Sequence, residues 1–233
     1  MTYVKHTPRG LAHRPLLLDA FCGGGGATKG YQRAGFEVWG CDINPHPNYC
    51  GDTFFQMDAV EFINLFGFLA TAIHASPPCQ AHSVARRVHK KEHVDLIPAT
   101  RAALIATGKP YVIENVEGAP LRASLMLCGT MFGLKTRRHR LFETSFDLYF
   151  PPFACGCHGE VGRGNLLNYH NTAQRNLYLS KHGYGNGSLG MKESLGVEWM
   201  NFDEAQEAIP PAYAEYIGKH LLAHLETRGA LAA

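Results

Sequence analysis

No apolar run in the 233-residue chain approaches the roughly 18 residues that a membrane-spanning helix needs, so a membrane role has no support. Charge of one sign is not in excess either. The formal net charge is +2, and 13 histidines add little at neutral pH. Binding to nucleic acid therefore cannot be read from net charge and needs a local basic face. Seven cysteines form an odd set at scattered spacings, which is no disulfide framework, and the first residues lack a signal peptide's apolar core; a reducing cytoplasm is the expected setting. Internal repeats are absent. Hydrophobic residues at 45% against 18% charged exclude wholesale disorder and fit one compact domain with a full core, but not two large domains.

What is there begins with Leu16 to Phe21, a short apolar run that reads as a buried parallel strand, ended by Cys22 and four glycines. A helical pattern follows from Ala27 to Ala34, and Phe36 to Cys41 reads as a second strand ending at Asp42. Ala70 to Ala75 and Tyr111 to Ile113 are further strand candidates, ending at Ser76-Pro77-Pro78-Cys79 and at Glu114-Asn115. Between them Ile97 to Thr107 reads as a helix with Gly108 as its cap. This alternation predicts an α/β fold built on a doubly wound, mostly parallel sheet. Ligands of such sheets sit beyond the carboxyl ends of the strands, where Asp19, Asp42, Ser76 to Gln80 and Glu114 all fall. From Pro151 to about Gly190 the pattern is irregular. Helical patterns return at Asp203 to Ala208 and, after Pro210-Pro211, from Ala212 to about Glu226.

Glycines between a strand and a helix, as in Phe21-Cys22-Gly23-Gly24-Gly25-Gly26, let backbone approach a nucleotide-like ligand at the helix's positive end, although a plain tight turn has the same composition. Asp42 ends the next strand about 20 residues on, where a carboxylate accepts ribose hydroxyls or simply caps a surface turn. Two prolines stiffen the loop that presents Cys79. Alone, that thiol is more often a buried small hydrophobe. With Glu114 at the end of another strand it becomes half of a nucleophile-plus-acid pair. The basic runs Arg86, Arg87, Lys90, Lys91 and Lys135, Arg137, Arg138, Arg140 either meet phosphates or face water.

The series Asp19-Ala20-Phe21-Cys22-Gly23, Pro78-Cys79-Gln80, Glu114-Asn115-Val116 and Arg138-His139-Arg140 resembles the DNA cytosine-5 methyltransferase family in order and spacing. The likeness covers roughly residues 15 to 145 and resumes near 193 to 222. It implies a Rossmann-like class I methyltransferase fold with three parts. Residues 1–146 would hold the catalytic and cofactor-binding domain, 147–192 a small target-recognition segment, and 193–233 the helices that complete the catalytic domain.

The resemblance further implies S-adenosyl-L-methionine as cofactor, held by Asp19, Phe21, Cys22, Gly23, Gly25, Asp42, Ile43, Asp58 and Pro78. Within that set Asp42 would hold the ribose and Asp58 the adenine amino group. Cys79 would add to carbon 6 of a cytosine rotated out of double-stranded DNA, Glu114 would hold the ring's N3 and amine, and Arg138 and Arg140 would supply positive charge. Asn115 would shape the loop around them. Gln80, Ser83, Arg86 and Arg87 would contact the nucleic acid. A monomer is expected, with a cognate restriction endonuclease as an optional partner. An RNA cytosine methyltransferase, transfer of a modified group from a related sulfonium, and a catalytically silent DNA-binding relative are the alternatives.

The chain departs from the family at Thr136, where Gln is usual, at Asp42, where Glu is usual, and at Gln206-Glu207, where Gly-Asn is usual. Cys155, Cys157 and His158 lack C-x2-C spacing and an evident fourth ligand, so no metal is expected.

Overall fold

The computed structural model describes residues 14–78, 94–134, 136–156 and 188–229. Among these, seven strands form one sheet: β1 (Leu16–Ala20), β2 (Glu37–Asp42), β3 (Thr53–Gln56), β4 (Ala72–Ala75), β5 (Tyr111–Asn115), β6 (Leu125–Leu127) and β7 (Arg140–Thr144). Their spatial order is β3-β2-β1-β4-β5-β7-β6. The first five pair in parallel, and β7 runs antiparallel between β5 and β6. This is the mostly parallel, Rossmann-like sheet that the sequence predicts. The helices are α1 (Gly26–Ala34), α2 (Ala59–Phe66), α3 (Ile97–Ala106), α4 (Ser188–Leu195), α5 (Phe202–Glu207) and α6 (Pro211–Thr227).

Strand side chains alternate between two helical layers, as the two-residue period of a β-strand requires. Leu17, Ala72 and Val112 face α1 and α6, where Tyr31, Tyr213, Ile217 and Leu221 are fully buried. Their neighbours Leu18, Ile73 and Ile113 face α2 and α3 through Phe62, Ile63 and Leu104. Strands buried on both faces read as continuous apolar runs, which is why β1, β4 and β5 were legible.

Helices α1 and α6 touch backbone to backbone. A Cβ added at Gly30 would lie 2.2 Å from the Pro211 carbonyl oxygen and 2.6 Å from the Glu215 nitrogen, so only glycine fits there. Helix α3 ends as expected, one residue short of the predicted limit, with Thr107 capping and Gly108 beyond it in the left-handed region.

Five elements were not read from the sequence pattern: β3, α2, β6, β7 and α4. Strand β3 has four residues and β6 three, too few to establish a period. Strand β7 begins inside the basic Arg138-His139-Arg140 run. Helix α2 starts at Asp58, whose Oδ1 accepts from the Val60 and Glu61 amides at 2.9 Å each, a side-chain N-cap. Helix α4 runs across residue 192, where the recognition segment was expected to end.

Candidate active site

The carboxyl ends of β1 and β2 lie side by side, with Ala20 paired to Cys41. Asp19, fully buried near the end of β1, accepts the Thr28 hydroxyl on Oδ2, while its Oδ1 has no hydrogen-bond partner among the described residues. Burial raises its carboxyl to about 7, against the lowering effect of Thr28. The next residue but one, Phe21, adopts a left-handed backbone at φ 62, which is costly for an aromatic and marks a turn held for a purpose.

Asp42 at the end of β2 accepts from the Gly23 amide on Oδ2 at 3.2 Å and from the Asn44 amide on Oδ1 at 2.9 Å. Burial pushes its carboxyl up, but the contact from His46 and these amides hold it below the usual range. Next to it Ile43 leaves 68% of its surface exposed, an apolar side chain beside a carboxylate. A Cβ at Gly23 would meet nothing within 4 Å, so the turn borders open space. A Cβ at Gly25 would come within 2.8 Å of Cys50 Sγ, so the turn also packs closely on that side. The Cys22 thiol packs with Tyr49 and Phe54, and its amide donates to the Cys41 carbonyl at 2.9 Å, so its side chain belongs to the core.

A second group gathers at β4, β5 and β7. Glu114, buried on β5, lies 3.0 Å through Oε1 from Arg140 Nε. Burial raises its pKa, opposed by Arg140, Ser76 and Arg138 in that order. Buried Arg138 donates through Nη2 to the Gln206 carbonyl at 2.7 Å, and the Tyr213 hydroxyl donates to the Arg138 carbonyl at 2.8 Å, so α5 and α6 fix the arginine's place. Asn115 donates through Nδ2 to the Pro77 carbonyl at 2.9 Å. The loop after β4 is thereby tied to the end of β5, with Pro78 beside it. Cys79, Gln80, Ser83, Arg86 and Arg87 lie outside the described residues, as do Lys90, Lys91, Lys135, Cys157 and His158.

The two groups are joined by polar residues that the sequence reading missed. His74, fully buried in β4, contacts the Tyr31 hydroxyl at 3.0 Å through Nδ1 and the Ser76 hydroxyl at 2.9 Å through Nε2. Burial lowers it to about 3, so it is neutral at physiological pH. A histidine inside an otherwise apolar strand was the available signal. Glu204 also escaped notice. It closes a capping box with Asn201 on α5 and accepts from Asn48 Nδ2 at 3.0 Å, docking α5 onto the loop after β2; Trp199 Nε1 adds a bond to the Gly24 carbonyl at 3.0 Å.

An elongated nucleoside fits what β1 and β2 present: an orphaned buried carboxylate oxygen, an open glycine turn, a carboxylate at the strand end and an exposed aliphatic neighbour. Asp58 keeps Oδ2 outside its cap, whose two bonds both go to Oδ1.

No family model matches the chain, and no curated protein matches it significantly in sequence. Its fold is shared with solved structures of low identity. One, from E. coli, is described as a DNA modification methyltransferase encoded within a prophage, with TM-score 0.59 and 15% identity over 91% of this chain and 99% of that one. The Dnmt2 methyltransferase of S. pombe gives 0.57 and 14%, again over 91% and 99%. The Entamoeba histolytica methyltransferase EhMeth gives 0.57 and 12% over 92% and 99%.

Proposed function

We propose that the chain is an S-adenosyl-L-methionine-dependent cytosine-5 methyltransferase acting on DNA, with Cys79 as its nucleophile. One observation carries the reading. The buried carboxyl of Glu114 faces Arg140 while its neighbour Asn115 holds the Pro77 carbonyl, which ties the loop after β4, two residues before Cys79 in sequence, to the strand that carries the acid. Three methyltransferases of the same fold support it.

Bound S-adenosyl-L-methionine would supply an electrophilic methyl on a sulfonium sulfur, with Asp42, Ile43, Phe21, Gly23, Asp58 and Asp19 as its cradle. Cytosine's carbon 5 is too weak a nucleophile to take that methyl unaided. Addition of the Cys79 thiolate to carbon 6 would form a carbon–sulfur bond and deliver the pair of the 5,6 double bond to carbon 5, which would take the methyl as its bond to the sulfonium breaks and S-adenosylhomocysteine is left. Loss of the carbon 5 proton to a base or water and expulsion of the thiolate restore the ring.

Glu114 is suited to the base's N3 and amine. Burial pushes its carboxyl up, and in its protonated form one oxygen would donate to N3 while the other accepts from the amine. Arg138 and Arg140 favour the thiolate and offset charge on the ring. The base must leave its stack first, at a cost of a few kcal/mol.

The test is covalent trapping. Duplex DNA carrying 5-fluorocytosine, whose fluorine cannot leave as a proton would, should form a denaturant-resistant adduct that requires S-adenosyl-L-methionine and disappears in Cys79→Ala. Trapping on structured RNA alone would move the substrate to RNA, and no adduct on either polymer would overturn the reading.

A further inference from the structure

The fold brings together three ligand-type side chains that the proposed chemistry does not use. Cys128 follows β6, His139 precedes β7, and Cys155 lies beyond β7, sixteen residues from the histidine. One ligand atom from each, the two sulfurs and a ring nitrogen of His139, all lie within 4.8 Å of one another. The Cys155 Sγ to His139 Nε2 distance is 3.5 Å. Zinc bonds of about 2.3 Å to sulfur and 2.0–2.1 Å to nitrogen, at tetrahedral angles, put such atoms about 3.5–3.6 Å apart. The pair already stands at ligand spacing.

The opposite nitrogen of the same ring strengthens the case. His139 Nδ1 lies 3.1 Å from Glu117 Oε2, with Arg137 Nη2 at 3.4 Å. A carboxylate on one imidazole nitrogen fixes the tautomer, turns the ring and makes the other nitrogen a better donor, as in carboxylate–histidine–zinc arrangements. The Thr130 hydroxyl sits between the sulfurs, 3.2 Å from Cys128 and 3.9 Å from Cys155, and also accepts from the Gly156 amide at 3.1 Å. Neither cysteine is in a disulfide. Two thiolates and an imidazole select a borderline-soft ion over magnesium or calcium.

We propose that Cys128, His139 and Cys155, with a water as the fourth donor, form a zinc site that pins the β6–β7 connection to the chain beyond β7. Binding would exchange the thiol protons for the ion, replacing the bond that Cys128 Sγ now donates to the Arg137 carbonyl at 3.0 Å. Because His139 stands between Arg138 and Arg140, the ion would hold that arginine pair in register with the segment entered after Cys155. The site does not depend on the cytosine reading.

The full chain, purified with reductant and without chelator, should carry one equivalent of zinc by inductively coupled plasma mass spectrometry. Exchange for cobalt should give thiolate-to-cobalt charge-transfer absorption with the intense d–d bands of a tetrahedral ion. Cys155→Ser, at a half-buried position, should lose both signatures. Glu117→Gln keeps all three ligands on an exposed partner and should weaken cobalt binding about 10–100-fold, a change that misfolding would not mimic. Metal-free protein giving no cobalt bands with its thiols reduced, a Cys128–Cys155 disulfide by intact mass, or full zinc retention in Cys155→Ser would each overturn the site.

Discussion

At the scale of single residues, ionisable groups kept out of water decide most of the behaviour. Glu114 is the one on which the proposed chemistry turns. Glu114→Gln keeps the shape and the hydrogen-bonding pattern but can neither transfer a proton to N3 nor carry a charge beside Arg140, so kcat for methyl incorporation should fall about 10²–10⁴-fold at saturating donor. Asp19 and His74 pull stability in opposite directions with pH. Asp19 titrates at about 7 when folded against an ordinary 3.8, so the folded chain holds the extra proton and stability falls as pH rises through that window. His74 titrates at about 3 when folded against 6.5, so the unfolded chain holds the extra proton and stability rises with pH between those values. Where the windows overlap the two slopes cancel. Asp19→Asn should make the slope of unfolding free energy more positive by about 1.4 kcal/mol per pH unit between roughly pH 4.5 and 6. Urea titrations at three pH values would check it, and an unchanged slope would refute the assignment.

At the scale of elements, two contacts matter beyond their size. Asn115 joins β5 to the loop after β4, and Asn115→Ala should leave donor binding intact while lowering kcat about 10²-fold, because a misplacement of about 1 Å in a reacting group carries that penalty. Isothermal titration with S-adenosylhomocysteine beside initial rates would separate the two effects. The α1–α6 contact has no room for a methyl group. Gly30→Ala should destabilise by about 1–3 kcal/mol or more, read as a lower denaturant midpoint, because the obstructing atoms are backbone of α6 and cannot rotate away. Arg101 on α3 binds Glu143 on β7 through two bonds of 2.9 and 2.7 Å in a nearly buried pair, and Glu143→Ala should cost about 3–5 kcal/mol by leaving the guanidinium uncompensated.

At the scale of the whole molecule, the proposed cofactor cradle is bordered by segments distant in the chain. Glycines after β1 rest against residues 200–209, and Glu204 reaches Asn48 and His46. A ligand held by the folded form alone stabilises all of it together. S-adenosylhomocysteine at a hundred times its Kd should add about 2.7 kcal/mol, a rise of roughly 5–10 °C in Tm. Asp42→Ala should abolish that rise.

The chain by itself determined the layered α/β architecture and the edge where its polar groups collect. Strands covered on both faces must be apolar and must end in residues able to break the run, so Asp19, Asp42 and Glu114 announced themselves. Only the tertiary structure decided what reached those residues. Arg140 on Glu114, Asn115 on Pro77, Gln206 on Arg138 and the Cys128, His139 and Cys155 cluster are all contacts between segments distant in sequence. Local spacing carries no record of such meetings, because they are set by where a reversed β7 inserts beside β5 and by how closely α6 can approach α1.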